Sequence, residues 1–175
     1  MLMNYQIKTL NNKDNLAIQY GFHQMQLGLC LLAMIGETVC HLSFHDNEKT
    51  GFLELQKEWP KAALILANEK IMPLIRSIFS NQNKNLTLAL KGTDFQIKVW
   101  HELLKIPSGN TVSYEEIAKS IGKPTAVRAV ATAIAQNKIA YLIPCHRVIR
   151  KSGTINNYRW GIERKKKLLV FEISQ

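Results

Sequence analysis

The feature that most constrains the fold of this chain is a pair of short helices predicted on either side of a glycine turn. The first helix, in SYEEIAKSIG, opens with a capping box formed by Ser113 and Glu116 and closes at Gly122. The second, in TAVRAVATAIAQN, follows directly, and Pro124 suits its first helical position. Two short helices joined by a turn that contains glycine have the layout of a helix-turn-helix.

The second of these helices carries side chains of very different size on two neighbouring faces. Its apolar face is formed, at helical spacing, by Val127, Val130 and Ile134. The adjacent face has only small side chains, at Ala126, Ala129 and Ala133. Such a face often packs against a neighbouring helix, but here it lies beside a cation in a basic half of the chain. We therefore favour contact with DNA, made by Thr125, Ala126, Arg128 and Ala129.

The positive charge of the chain is concentrated in its second half. Residues 1–90 contain eight Lys and Arg against seven Asp and Glu, whereas residues 91–175 contain fifteen against six. These counts give net charges of +1 and +9, which together make the +10 of the whole chain. A basic half indicates a polyanionic partner, although a solvated basic face without a partner would look the same.

The two halves of the chain also predict different kinds of structure. NLAIQYGFHQ, LGLCLLAMIG and TVCHLSFHD are strand-like runs separated by glycine and polar residues, which indicates an antiparallel meander. TDFQIKVWHELLKI carries a helical apolar stripe, with Thr93 or Asp94 as its cap. The most linker-like stretch is Ser80–Asn85. We therefore predict an α+β chain with a supporting domain over residues 1–88 and a DNA-binding, catalytic domain over residues 89–175.

The sequence predicts a protein of the cytoplasm. Its first residues lack a basic stretch followed by an apolar one, which argues against a secretory signal. The longest apolar run, residues 27–35, is too short to span a bilayer.

The cysteines predict neither a disulfide framework nor a metal site. They are three in number and far apart, as in proteins of reducing compartments. Cys30 lies in an apolar run and is expected in the core. Cys40, His41 and His45 lack the closed set of four ligands that a structural zinc site needs, so we expect no metal.

Cys145 has the sequence context of a reactive thiol. It lies in AYLIPCHRVIRKSG, between a proline and a histidine at the end of an apolar run. The thiolate is the nucleophilic form of cysteine, and neighbouring cations lower the pKa of a thiol. His146 and Arg147 follow directly. A nucleophile in an electropositive setting is one interpretation of this pattern, and a buried structural thiol is the other.

Four segments of the second half together resemble one protein family. In chain order they are GNTVSYEEIA, AVRAVATAIAQN, IPCHRVI and GTINNYRWG, within about residues 92–172. The chain resembles the O6-alkylguanine-DNA alkyltransferases, of the stand-alone bacterial and Ada C-terminal type. The resemblance implies a ribonuclease-H-like antiparallel sheet domain followed by a helical domain with a winged helix-turn-helix.

The resemblance also implies DNA repair by a protein that alkylates itself and acts once. A methyl or other small alkyl group on guanine O6, and also on thymine O4, would pass irreversibly to Cys145 without a cofactor or a metal. The implied partner is double-stranded DNA, approached from the minor groove, with the damaged nucleotide flipped into a pocket. The protein would act as a monomer, associated with the nucleoid.

The resemblance assigns catalytic roles to five residues. Cys145 accepts the alkyl group, and His146 acts through a water molecule to hold it as the thiolate. Glu172, on a C-terminal helix, is the third member of this group. Asn137 resembles the family's hinge asparagine, which braces the turn beside the active site. Tyr114 resembles the tyrosine that donates to the guanine ring and crowds the phosphate of the flipped nucleotide.

The resemblance assigns the remaining site residues to the DNA duplex and to the pocket. Arg128 would enter the base stack and fill the gap left by the flipped nucleotide. The carbonyls of Cys145 and Val148 would accept from the guanine amino group, Tyr158 would line the pocket, and the backbone N–H of Arg159 would face O6. Trp160 is bulky where some relatives carry glycine, so we expect it to narrow the pocket against benzyl-sized groups.

Two other functions would explain parts of this pattern. A relative that detects alkylated bases without repairing them would share everything except the cysteine, whereas Cys145 is present here. A helix-turn-helix transcription regulator with an unrelated sensor domain would leave Trp160 and Glu172 without a role. The alkyltransferase explains the basic half, the two helices and the Cys-His pair together, and is the function we predict.

Overall fold

The computed structural model of this chain describes residues 4–9, 16–80, 85–155 and 157–174. The described residues divide into two compact units, one ending at Lys91 and the other beginning at Gly92. The linker-like stretch predicted at Ser80–Asn85 lies mostly outside the described residues. The chain has an α+β fold, as predicted.

The first unit is built on one six-stranded sheet. Its strands are β1 (Asn4–Thr9), β2 (Ala17–Met25), β3 (Gly28–Ile35), β4 (Thr38–His45), β5 (Ala63–Leu66) and β6 (Asn85–Leu90). They lie in the order β1-β6-β4-β3-β2-β5, in which β2, β3 and β4 form an antiparallel meander. The remaining pairs, β1–β6, β4–β6 and β2–β5, are parallel.

The prediction of an antiparallel sheet is therefore right for the meander of β2, β3 and β4. It is wrong for β1, β5 and β6, which pair in parallel with their neighbours. The chain passes through a helix before β5 and through another before β6. A hairpin reverses the direction of the chain, whereas a helical crossover allows it to return in the same direction and pair in parallel.

Two helices connect these strands and cover the sheet. Helix α1 (Glu48–Glu58) is capped by the side chain of Asn47, and α2 (Asn68–Phe79) follows β5. Helix α2 packs closely on β2 at Gly21, where a Cβ atom would lie 2.8 Å from Cβ of Ile71. The core of this unit is formed by apolar side chains of the meander and of α1, namely Ile18, Tyr20, Phe22, Leu31, Ala33, Leu55 and Trp59.

The second unit is mainly helical. In chain order it contains α3 (Asp94–Leu103), β7 (Val112–Ser113), α4 (Tyr114–Ser120), α5 (Val127–Ala135), a 3₁₀ turn (Cys145–Arg147), β8 (Val148–Ile149) and α6 (Ile162–Ile173). Strands β7 and β8 pair in parallel, and α5 packs against both α3 and α4. None of the helices in the described residues is long and apolar enough to cross a membrane.

The helix ends in the second unit follow the local sequence signals closely. Thr93 caps α3, and Ser113 caps α4 in a capping box, as predicted. Gly122 ends this segment in a left-handed conformation, with a φ of 74°. The prediction that Pro124 begins the next helix is wrong. A turn closed by a hydrogen bond from the amide of Ala126 to the carbonyl of Lys123 holds the proline outside α5.

Candidate active site

Cys145 is held by the side-chain amide of Asn137. The Asn137 Nδ2 donates to the carbonyls of Ile139 and Ile143 at 3.2 and 3.0 Å, and to Sγ of Cys145 at 3.1 Å. Its Oδ1 accepts from the amide of Ile139 at 2.9 Å. One buried side chain therefore closes the loop that follows α5 and reaches the sulfur at its far end. This places Asn137 where the sequence analysis expects a brace beside the active site.

The surroundings of Cys145 act on the pKa of its thiol in opposite directions. The side chain is only 4% exposed, and burial raises the pKa of the thiol above its ordinary value. The Asn137 amide, the Tyr158 hydroxyl and the positive charge of Lys165 act to lower this pKa. The thiol is thus protected from solvent, while three groups around it favour the thiolate.

His146 and Glu172 form a buried hydrogen-bonded pair. The Nε2 atom of His146 lies 2.7 Å from Oε1 of Glu172, and both side chains are almost inaccessible to solvent. Burial lowers the pKa of His146, so the imidazole is neutral near pH 7. Burial also acts to raise the pKa of Glu172, but the hydrogen bonds and charges of His146 and Arg147 outweigh it and lower that pKa to about 2.

The charge on Glu172 fixes the proton on the imidazole. An ionised carboxylate only accepts hydrogen bonds, so Nε2 of His146 must carry the hydrogen and donate it. The other ring nitrogen, Nδ1, then carries the lone pair. It is buried and makes no hydrogen bond to any residue that the structure describes. The imidazole of His146, the residue that follows Cys145, therefore has one nitrogen, Nδ1, that is available to accept a proton.

Sequence reasoning missed the contribution of Arg147 to this site. Its Nε donates to both carboxylate oxygens of Glu172 at 3.0 and 3.1 Å, and its Nη2 donates to Oε1 at 2.7 Å. Its Nη1 donates to the carbonyl of Ile106. Arg147 thus keeps Glu172 ionised rather than acting on the thiol.

Lys165 is the second residue that sequence reasoning missed. It lies in a run of basic residues on α6, yet it is 1% exposed, and its Nζ donates to the carbonyl of Val148 at 2.6 Å. Burial lowers the pKa of Lys165 to about 8, with Cys145 acting in the opposite direction. The signal that could have revealed it is its helical spacing with two other residues of α6, Leu168 and Glu172, which are also buried.

The residues predicted to line the pocket differ in exposure, since Tyr158 is half-buried and Arg159 is exposed. Val148 and Trp160 are buried, and the ring of Trp160 makes an edge contact with that of Tyr158, with centroids 5.2 Å apart. The guanidinium of Arg159 lies 5.8 Å from the centroid of the Trp160 ring. Burial, followed by the nearby Cys145, raises the pKa of Tyr158 well above its ordinary value. Tyr114 is the first residue of α4 and is half-buried.

The residues predicted to contact DNA lie at the start of α5. Those exposed to solvent are Thr125, Arg128 and Ala129, and Ala126 is half-buried as the cap of the helix. Ala133, which the sequence analysis places on the same small face, is instead buried, and its carbonyl accepts a hydrogen bond from Trp100. The exposed small face is therefore confined to the first turn of α5.

The chain matches one protein family and several curated proteins. The family model described as "6-O-methylguanine DNA methyltransferase, DNA binding domain" matches residues 94–174. The chain is 43% identical over 161 residues to the bifunctional transcriptional activator/DNA repair enzyme Ada of Escherichia coli, covering 89% of this chain and 46% of Ada. It is 38% identical over 159 residues to the methylated-DNA–protein-cysteine methyltransferase of Methanosarcina barkeri, covering 87% of this chain and 96% of that protein.

The chain thus spans about half the length of the Ada proteins that it matches, from Escherichia coli and Salmonella typhimurium. Among solved structures it is similar to Mycobacterium tuberculosis O6-methylguanine methyltransferase, with a TM-score of 0.73 and 34% identity, covering 90% of this chain and 93% of that one. It is equally similar, by TM-score, to Mycobacterium tuberculosis OGT solved in complex with DNA.

Proposed function

This chain belongs to the methylated-DNA–protein-cysteine methyltransferase family, and from that premise we propose that it repairs O6-alkylguanine in DNA by transferring the alkyl group to Cys145. O4-methylthymine is proposed as a second substrate. The observation that carries the proposal is the buried arrangement of Cys145, Asn137, His146 and Glu172. It places a thiol held by Asn137 next in the chain to an imidazole that is hydrogen-bonded to a carboxylate with a pKa of about 2.

The first step is formation of the thiolate. The thiol proton of Cys145 passes to Nδ1 of His146, which carries the lone pair, through the bridging water that the resemblance implies. The imidazolium that forms donates from Nε2 to Glu172, whose negative charge stabilises it. The amide of Asn137 and the charge of Lys165 stabilise the sulfur anion at the same time.

The second step is displacement at carbon. The sulfur of Cys145 attacks the methyl carbon in line with O6, and a carbon–sulfur bond forms as the carbon–oxygen bond breaks. The electron pair of the broken bond remains on the guanine, where the hydroxyl of Tyr114 neutralises the developing charge. The product is S-methylcysteine, a thioether without a good leaving group. Each protein molecule therefore acts once and needs no cofactor.

The DNA complex proposed here uses the exposed start of α5. A methyl group on O6 lies inside the duplex, so the nucleotide must be flipped out at a cost of about a few kcal/mol. The exposed Thr125 and Ala129, with Ala126, allow the helix to approach the minor groove, and Arg128 fills the gap in the base stack. We further infer that the protein binds DNA as a monomer and that α4 and α5 form a winged helix-turn-helix. We also infer that the first unit is of the ribonuclease-H-like class and has a supporting role.

The decisive test is mass spectrometry of the protein after mixing with duplex DNA that contains one O6-methylguanine. We expect a gain of one methyl group, located on the peptide with Cys145, which stops at one per protein molecule. Matched DNA without the lesion serves as the control. Tight binding without transfer would identify a lesion sensor, and the absence of both would contradict the proposal.

The alkyl groups that the pocket accepts should depend on Trp160. This buried ring contacts Tyr158 beside the thiol, so we expect it to limit the room for a benzyl group. Replacing Trp160 with alanine should speed inactivation by O6-benzylguanine by about tenfold or more, because pockets discriminate by size over that range. Arg159→Ala provides the control. Rapid inactivation of the unmodified protein by O6-benzylguanine would contradict this role.

A further inference from the structure

Tyr141 lies at the centre of the loop between Asn137 and Cys145, in a conformation that tyrosine rarely adopts. Its φ is 64°, and among the described residues it is the one non-glycine residue with a positive φ. The loop reverses direction around it, because the amide of Ile143 donates to the carbonyl of Ile139. Glycine adopts this conformation with little strain, whereas a bulky side chain does so at a cost. A strained residue at such a place points to a function for its side chain.

The ring of Tyr141 contacts the imidazole of His146 and the ring of Phe171, the residue before Glu172. It lies nearly parallel to the imidazole of His146, with an interplanar angle of 12° and centroids 6.1 Å apart. It also makes an edge contact, at 6.3 Å, with Phe171, which precedes Glu172 on α6. Both separations fall within the range of favourable aromatic pairs. The tyrosine is 8% exposed, so these contacts replace contact with water.

We propose that Tyr141 is a positioning residue, which holds the imidazole of His146 in the plane that directs Nε2 to Glu172. A ring stacked on one face of an imidazole restricts its rotation, and the hydrogen bond at Nε2 then fixes the remaining freedom. Nδ1 is left in one orientation as the acceptor of the thiol proton. The left-handed backbone at residue 141 is what brings the tyrosine ring to this face.

This inference rests on the proposed function, because it concerns the group that deprotonates Cys145. Its test compares Tyr141→Leu, which removes the stacked ring but keeps apolar bulk, with Tyr141→Phe, which keeps the ring. The measurements are the single-turnover rate of methyl transfer across pH, the fraction of protein that reacts, and the affinity for the lesion DNA.

We expect Tyr141→Leu to slow transfer about tenfold near neutral pH, the lower end of the range for groups that orient a reacting side chain. The acidic limb of its pH profile should move upward by about one unit, because the thiolate becomes harder to form. The reacting fraction and the DNA affinity should stay within about twofold of the unmodified protein. Tyr141→Phe should restore both the rate and the pH profile.

Other outcomes separate the two proposals. If the unmodified protein transfers no methyl group, the proposed function fails. If it does transfer, and Tyr141→Leu changes only the reacting fraction or the melting temperature, Tyr141 is merely structural and the inference is overturned. If Tyr141→Leu does not fold, the same profile is measured for Phe171→Leu, which removes the edge contact but leaves the tyrosine. An upward shift of its acidic limb would support the proposal, and an unchanged rate and profile would overturn it.

Discussion

Cys145→Ser is expected to bind DNA that contains O6-methylguanine as tightly as the unmodified protein and to transfer no measurable methyl group. Serine is nearly isosteric with cysteine, and its hydroxyl can still accept from the amide of Asn137. However, a hydroxyl loses its proton far less readily than a thiol, and the groups that favour the thiolate cannot overcome that difference. We expect a loss of at least about 10⁴-fold in rate, as for other enzymes that lose their nucleophile.

The measurement combines a binding titration with mass spectrometry after prolonged incubation. Cys40→Ser is the matched control, because Cys40 is also buried, lies in the other unit, and has a pKa that burial raises to about 12. The control should react to completion. Methyl transfer by Cys145→Ser, or a methyl group found on Cys40, would show that another residue is the acceptor.

The parts of the fold that the sequence predicted correctly depend on local chemistry. Thr93 and Ser113 cap helices through side chains that reach an amide three residues away, so the local sequence is sufficient to locate them. The parallel pairing of β1 with β6 joins segments from opposite ends of the first unit. Such pairing depends on how the whole sheet assembles, which alternation of apolar and polar residues within a strand does not reveal.

In the candidate site, too, some features could be predicted from the sequence and others could not. The pattern around Cys145 left both a nucleophile and a buried structural thiol open, and the resemblance named Cys145, His146 and Glu172. The structure places His146 and Glu172 in contact with each other, and the role of Cys145 stays a prediction. Lys165 and its neighbour Lys166 look alike in the sequence, yet Lys165 is buried and Lys166 forms an exposed ion pair. The packing of α6 against the 3₁₀ turn distinguishes them, and its one sequence signal is the helical spacing of Lys165 with Leu168 and Glu172. The roles of the proposed DNA-contacting residues stay predictions.

Glu172→Gln is expected to reduce both stability and transfer. The change leaves Arg147, whose side chain is 13% exposed, without its carboxylate, and it removes the charge that stabilises the His146 imidazolium. Breaking a buried ion pair by removing one partner costs about 3–5 kcal/mol of unfolding free energy. The matched control is Glu163→Gln on the same helix, because Glu163 is 74% exposed and pairs only weakly with Lys166. We expect the control to cost less than about 1 kcal/mol.

The pH dependence of the loss in unfolding free energy distinguishes the contribution of the Glu172 charge from that of its packing. The pKa of Glu172 is lowered from its ordinary 4.5 to about 2 in the folded protein, so its stabilising contribution is complete above pH 4.5 and is lost as pH falls towards 2. Glutamine does not titrate in this range, and the other carboxyl groups are common to both proteins. The difference in unfolding free energy between Glu172→Gln and the unmodified protein should therefore shrink by about 3 kcal/mol over this interval. Urea unfolding at a series of pH values measures it, and a difference that does not change with pH would mean that packing, not charge, holds Glu172 in place.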